Sequence, residues 1–356
     1  MNKMRNRRIF TPGPVQMSPE ILALGAQQVP YFRNTEFSAV LKECESRLLD
    51  LACAPRGSRV IFLAGSGSLA MESVVVNLLS PQKPSAIVNG GSFGKRFVDI
   101  CHVHRVPVQE IVVDRDPLSE LGILASVGDI HALLITGHET SVGHLYDLES
   151  TGRYCQQKQC LHIVDAISLF VTDRLDMQKQ SIDALLLSSH KGLALPPGLA
   201  MVVLSPGALN QVQKQPDSFY LDYHRYLEAG LRGQTPFTPT VSIILQLRAR
   251  LEQLQRDGMD SAITQARGLA MRFREGIQTL PLKPYSLHMP NAMTALEVTY
   301  GVSAQQIVDE LERRHGCVVA PNGGVLRDLV FRVAHMGHLI DADIDQLLLG
   351  LQEVMQ

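Results

Sequence analysis

Between residues 59 and 204 the chain alternates short apolar, β-branched runs with longer segments of helical spacing. The runs cover residues 59–63, 85–88, 108–113, 132–135, 162–164, 184–187 and 199–204. They are continuous rather than alternating, as strands covered on both faces are. Segments 68–79, 93–104 and 148–158 have the length and periodicity of crossover helices. The pattern predicts an α/β fold, a doubly wound and mainly parallel seven-stranded sheet with its ligand along the C-terminal strand edge.

Past residue 205 the texture changes. A loop-rich stretch runs from there on through residues 234–240, and a long helical pattern then covers 241–276 with a break near Gly258. Strand patterns at 294–299 and 330–333 bracket a helix over 304–315, and an amphipathic helix begins at Asp341. That order suits a small α+β domain. The expected division is an N-terminal arm over 1–15, a large domain over 16–255 and a small one over 256–356. No repeat or low-complexity tract interrupts it.

Composition narrows the classes. With 356 residues, 45% hydrophobic and 19% charged, the chain is globular and longer than the usual single domain. A net charge of −2 supplies no global field for nucleic acid or anionic lipid, so anion binding must be local. Lys3, Arg5, Arg7 and Arg8 resemble the start of a signal peptide, but Thr11-Pro-Gly-Pro14 stands where an apolar stretch would follow. No run approaches the ~18 apolar residues of a membrane span. A cytoplasmic protein is expected. The six cysteines contain no C-x-x-C pair and read as buried free thiols. Cys155, Cys160 and His162 lack the further ligand of a structural zinc site, so no metal is expected.

Gly65-Ser-Gly67-Ser-Leu-Ala70 lies between a predicted strand and a predicted helix and matches the dinucleotide pattern G-x-G-x-x-G/A. That pattern also needs a carboxylate at the end of the next strand to hold a ribose, and Asn89-Gly-Gly91 stands there instead. What remains is an anion cradle of free backbone N–H groups with the hydroxyls of Ser66 and Ser68. A tight strand-to-helix turn would look the same locally, so the rest of the constellation has to decide.

Downstream come Phe93, Glu139-Thr140, Asp165 and Lys191, three of these groups just beyond predicted strands. A carboxylate and an amine at the ends of apolar strands each need a partner or a shifted pKa. Pyridoxal phosphate (PLP) uses such a set: an amine for its carbonyl carbon, a carboxylate for its ring nitrogen, a phosphate cup and an aromatic face.

The order resembles the class V aminotransferases among the fold-type I PLP enzymes, in the branch holding alanine/serine–glyoxylate (or pyruvate) and 2-aminoethylphosphonate–pyruvate aminotransferases. The likeness runs from Thr11-Pro-Gly-Pro14 to Phe331-Arg-Val-Ala-His-Met-Gly337. It is most specific at Ser188-Ser-His-Lys-Gly-Leu-Ala-Leu-Pro-Pro-Gly198 and Val164-Asp-Ala166. The resemblance implies that Ser66, Gly67 and Ser68 bind the cofactor phosphate, Phe93 stacks on the ring and Thr140 sits beside its hydroxyl. By the same likeness, Asp165 pairs with the ring nitrogen, Lys191 is the Schiff-base lysine and His190 lies near the cofactor. Thr238 resembles the residue that reaches the neighbouring subunit's phosphate, which implies a homodimer, and Arg332 resembles the clamp for the substrate carboxylate.

The chain departs from its relatives at Phe32-Arg33, where a His often precedes the Arg, and at Val142, where Thr is common. His190 stands where Gln or Asn is usual. The activity implied is ping-pong transfer of an amino group from alanine or serine to glyoxylate or pyruvate. The alternatives are a 2-aminoethylphosphonate donor and another PLP-dependent lyase of the same fold.

Overall fold

A computed structural model describes residues 7–113, 124, 127–214 and 216–356, so Lys3 and Arg5 lie outside the described residues. The apolar runs form β1 (Arg59–Ala64), β2 (Ser85–Asn89), β3 (Val108–Val112), β4 (Ala132–Thr136), β5 (Leu161–Asp165), β6 (Ala184–Ser188) and β7 (Leu199–Leu204). They make one seven-stranded sheet in the order β1-β7-β6-β5-β4-β2-β3. Strand β7 is antiparallel to β1 and β6, and every other pairing is parallel. The C-terminal ends of β1, β2, β4, β5 and β6 therefore share one edge.

Burial explains the unbroken apolar runs. Val60 and Phe62, Ala86 and Val88, Leu133 and Ile135 face one core. Ile61 and Leu63, Ile87, and Leu134 face the other. Each of the Val, Leu, Ile and Phe side chains contributes roughly 1.5–3 kcal/mol on burial, so both faces select apolar residues.

The helices are α1 (Pro19–Gly25), α2 (Thr35–Leu51), α3 (Gly67–Leu78), α4 (Ser92–Val103), α5 (Leu148–Lys158), α6 (Pro206–Asn210), α7 (Tyr223–Leu231), α8 (Val241–Asp257), α9 (Met259–Gly276), α10 (Ala304–Glu310) and α11 (Asp341–Met355). The break expected near Gly258 separates α8 from α9, with Gly258 at φ 86°. Gly94 lets α4 lie against β2, because a Cβ there would come within 2.6 Å of the Val88 carbonyl oxygen.

A second sheet follows: β8 (Leu282–Pro284), β9 (Met293–Val298), β10 (Ala320–Pro321) and β11 (Val330–Ala334), in the antiparallel order β8-β9-β11-β10. Its core includes Phe273, Leu296, Phe331 and Leu347. The N-terminal segment is sewn to this part of the chain. Arg8–Ile9 pairs in parallel with Cys317–Val318, and Phe10 is fully buried in the same core.

Three local expectations need correction. Part of the stretch expected to be loop-rich past residue 205 is helix, because α7 buries Tyr223, Tyr226 and Ala229 and the Tyr223 hydroxyl meets Ser73 Oγ at 2.8 Å. The helix expected over 304–315 is α-helical to Glu310 and then widens into a π-turn over Leu311–His315, stopped by left-handed Gly316. Of the six thiols, Cys53 is exposed, since it follows the C-terminus of α2 at φ 50°. His162 is committed inside the fold, its ring nitrogens 3.1 Å from Thr151 Oγ1 and from the Gln180 carbonyl oxygen. Among the described residues no helix is long and apolar enough to cross a membrane.

Candidate active site

The C-terminal edge of the sheet opens into a cavity of about 240 Å³. Ser66, Gly67, Ser68, Phe93, Thr140, Asp165, His190 and Lys191 all line it. Residues as distant in the chain as Ser66 and Lys191 meet there because the strands that precede them end at one edge.

Ser66 is the N-cap of α3 but makes no side-chain cap, so its hydroxyl remains available beside the helix N-terminus. Gly67 leaves the turn open: a Cβ there would lie 2.4 Å from Ile167 Cδ1, and the Ile167 side chain would have to shift. The cradle thus presents backbone N–H groups and two hydroxyls, the form a phosphate fits.

Asp165 ends β5, and its Oδ1 accepts a hydrogen bond from the Ile167 N–H at 2.9 Å. Burial raises its carboxyl to about 6, an effect that outweighs the Ile167 hydrogen bond and the nearby Lys191 charge. Lys191 follows β6 in a tight loop where the Ala194 N–H donates to the Lys191 carbonyl at 2.7 Å. Burial lowers its amine to about 8, against the opposing pull of Asp165. The residues are 7% and 9% exposed. Burial thus brings both groups toward neutral pH, where one can hold a proton on a ligand and the other can release its own. The Lys191 ammonium lies 5.5 Å from the centre of the Phe93 ring. Burial lowers the neighbouring His190 to about 4, and its Nδ1 lies 2.9 Å from Ser188 Oγ.

Glu139 holds the other wall. It is wholly buried, and Oε2 accepts from the Phe93 and Gly94 N–H groups at 3.1 and 2.9 Å. Oε1 accepts from Ser141 Oγ at 2.5 Å. Helix α4 has no side-chain cap from its own N-cap, Gly91, so a carboxylate from beyond β4 satisfies its first turn and fixes Phe93.

Two predicted site residues do not line this cavity. Arg332, on β11, is connected to it through Thr140, donating from Nη1 to the Thr140 carbonyl at 3.4 Å and from Nη2 to the Pro321 carbonyl at 2.7 Å. Its Nε has no partner among the described residues, and its charge acts on Lys191. Thr238 is exposed on a loop held by Arg33, which donates to the Thr235 carbonyl at 2.7 Å and to Gln234 Oε1 at 3.1 Å.

The structure adds residues that the sequence reading passed over. His138 lines the cavity with its side chain fully buried. Its Nε2 is 3.1 Å from Asp173 Oδ2 but out of line for a hydrogen bond, and Nδ1 has no partner among the described residues. Asp173 also accepts from the Asn291 N–H at 3.0 Å. Arg96, one turn into α4, is another addition. The signal for His138 was its place in the Glu139 motif. Arg96 had only its place three residues after Phe93.

The cavity's residues fit PLP: a serine-lined anion cup, a buried carboxylate, a buried amine and an aromatic wall. Comparison with known proteins points the same way. The family described as Aminotransferase class-V matches residues 26–324. The soluble hydrogenase 42 kDa subunit of Anabaena cylindrica is 29% identical over 360 residues, 98% of this chain and 92% of that protein. The alanine–glyoxylate aminotransferase of Callithrix jacchus is 27% identical over 369 residues, 98% of this chain and 88% of that protein. Among solved structures, an aspartate aminotransferase of subgroup IV from Thermus thermophilus superposes with a TM-score of 0.90 at 27% identity, covering 98% and 99% of the two chains.

Proposed function

The chain belongs to the aminotransferase class-V family, and we propose that it transfers the amino group of a small amino acid, alanine or serine, to glyoxylate or pyruvate in a ping-pong cycle. The observation that carries the reading is the burial of Asp165 and Lys191 in one cavity with a serine-lined anion cup. When bound, PLP would supply the electron sink that stabilises negative charge at the donor's α-carbon.

The residues divide the remaining work. Ser66, Gly67 and Ser68 would hold the phosphate, and Phe93 would cover the ring. Asp165 would keep a proton on the ring nitrogen. Lys191 Nζ would take the proton from the α-carbon, which needs the free amine, and its lowering to about 8 by burial makes that form accessible near neutral pH. Arg332 would grip the carboxylate with its planar guanidinium. His190 would pack beside the cofactor. Thr238, exposed and away from its own chain's cavity, would serve the phosphate of a second subunit, making the enzyme a homodimer with shared sites.

The test combines spectroscopy and mapping. Purified protein reconstituted with PLP should absorb in the visible, and borohydride reduction should leave the cofactor mass on the peptide containing Lys191. A protein that stays colourless, or a label elsewhere, would sink the reading. Half-reactions with alanine, serine, aspartate and 2-aminoethylphosphonate rank the donors, and fastest bleaching by the phosphonate would replace the carboxylate-donor assignment. Sedimentation at micromolar concentration checks the dimer.

A further inference from the structure

Arg96 occupies a position that the carboxylate, amine and cup residues leave unexplained. It lies on the first turns of α4, and its guanidinium carbon sits 4.7 Å from the centre of the Phe93 ring. Its Nη1 donates to Ser68 Oγ at 2.8 Å. The cation is turned toward the cup, although carboxylates lie on its own helix and on α3. Those are engaged elsewhere: Asp99 by Lys95 at 2.7 Å, and Glu72 by His104 at 2.9 Å. Among the described residues Arg96 has no ion-pair partner.

The cup's other donors are neutral. Ser66 and Ser68 offer hydroxyls, and the α3 N-terminus offers backbone N–H groups with a fractional positive charge of about half a unit. A phosphate monoester near neutral pH carries a charge of about −1.5 to −2. Lys191 is the other cation lining the cavity, and the proposed chemistry assigns it elsewhere. Neutral donors alone leave most of the phosphate charge uncompensated, and a guanidinium matches phosphate oxygens in planar, charge-assisted pairs. Because Ser68 Oγ accepts from Arg96, its own hydrogen is free to point into the cup. The Arg96 charge is also felt at Asp165 and Lys191, lowering both, so it acts on the cavity despite lying at its exposed rim.

We propose that Arg96 is a cofactor-positioning residue that neutralises the phosphate, with Phe93 holding its guanidinium flat and Ser68 setting its direction. The inference rests on the PLP reading above and goes beyond it by assigning the cup its cation.

The test compares ligands that differ only in the phosphate. Dissociation constants for PLP and for pyridoxal are measured by absorbance on the parent apoprotein and on Arg96→Gln and Arg96→Lys. Arg96→Gln should weaken PLP ten- to a hundredfold, equivalent to ~1.4–2.8 kcal/mol, and change pyridoxal by less than twofold. Arg96→Lys should fall between, since it retains the charge and loses the planar fork. Inorganic phosphate at millimolar concentration should raise the melting temperature of the parent apoprotein and leave that of Arg96→Gln unmoved. Equal weakening of PLP and pyridoxal would overturn the proposal in favour of a role through Phe93, and unchanged PLP affinity would overturn it outright. If the parent binds neither ligand, the PLP reading itself fails, an outcome distinct from either.

Discussion

Glu139→Gln tests whether the cavity wall depends on a carboxylate cap. The substitution keeps size and shape but leaves one acceptor oxygen in place of two. In the parent, Oε2 accepts from Gly94 and Phe93 N–H at 2.9 and 3.1 Å, while Oε1 accepts from Ser141 Oγ at 2.5 Å and Ser141 N–H at 3.2 Å. Whichever way the amide is turned, its NH₂ faces donors on one side. About two charge-assisted bonds are lost at ~1.5–3 kcal/mol each, together with a carboxylate at the α4 N-terminus worth ~0.3–1 kcal/mol. Allowing for partial rehydration, the local cost is roughly 3–5 kcal/mol. Hydrogen exchange read by mass spectrometry on peptides from α4 should therefore quicken by about two to three and a half orders of magnitude, at ~1.4 kcal/mol per tenfold. Peptides from α11 serve as the internal control. An acceleration below tenfold in α4, or an equal one in α11, would refute the cap.

Three further outcomes follow from named contacts. Burial raises Asp165 from 3.8 to about 6, so its ionised form costs the folded apoprotein stability; that cost is fully present above the folded value and fades as pH falls toward 3.8. Asp165→Asn should thus raise the apoprotein's denaturation midpoint at about pH 7.5, with a gain that shrinks toward about pH 4; equal midpoints at the higher pH count against it. Gly192→Ala should be severe, because its Cβ would lie 2.1 Å from the Phe170 carbonyl oxygen. The adjoining Lys191 loop must move, which a loss of borohydride labelling together with a lower unfolding midpoint would register. Arg332→Ala should weaken carboxylate substrates by ~1.5–3 kcal/mol, and normal affinity in steady-state and half-reaction kinetics would remove Arg332 from the clamp role.

The reach of sequence reading differs from one element to the next, for physical reasons. Strands β1 to β7 were legible almost to the residue, since burial on both faces demands continuous apolar runs and that demand is local. Asp165 and Lys191 were legible because a charge closing such a run requires an explanation wherever the chain goes. Helix α7 was not, since its buried face is built of tyrosines whose hydroxyls meet partners such as Ser73, supplied from a different helix.

What the sequence determined alone was a set of short-range preferences: where the strands lie, where the helices between them begin, and which charges cannot be left without a partner. Only the tertiary structure decided who the partners are. It set Glu139 as the cap of a helix 45 residues earlier in the chain, brought His138 against Asp173, and directed the exposed Arg96 toward Ser68. Those choices depend on strand order and on which ends share an edge, properties of the whole sheet that no single window of residues contains.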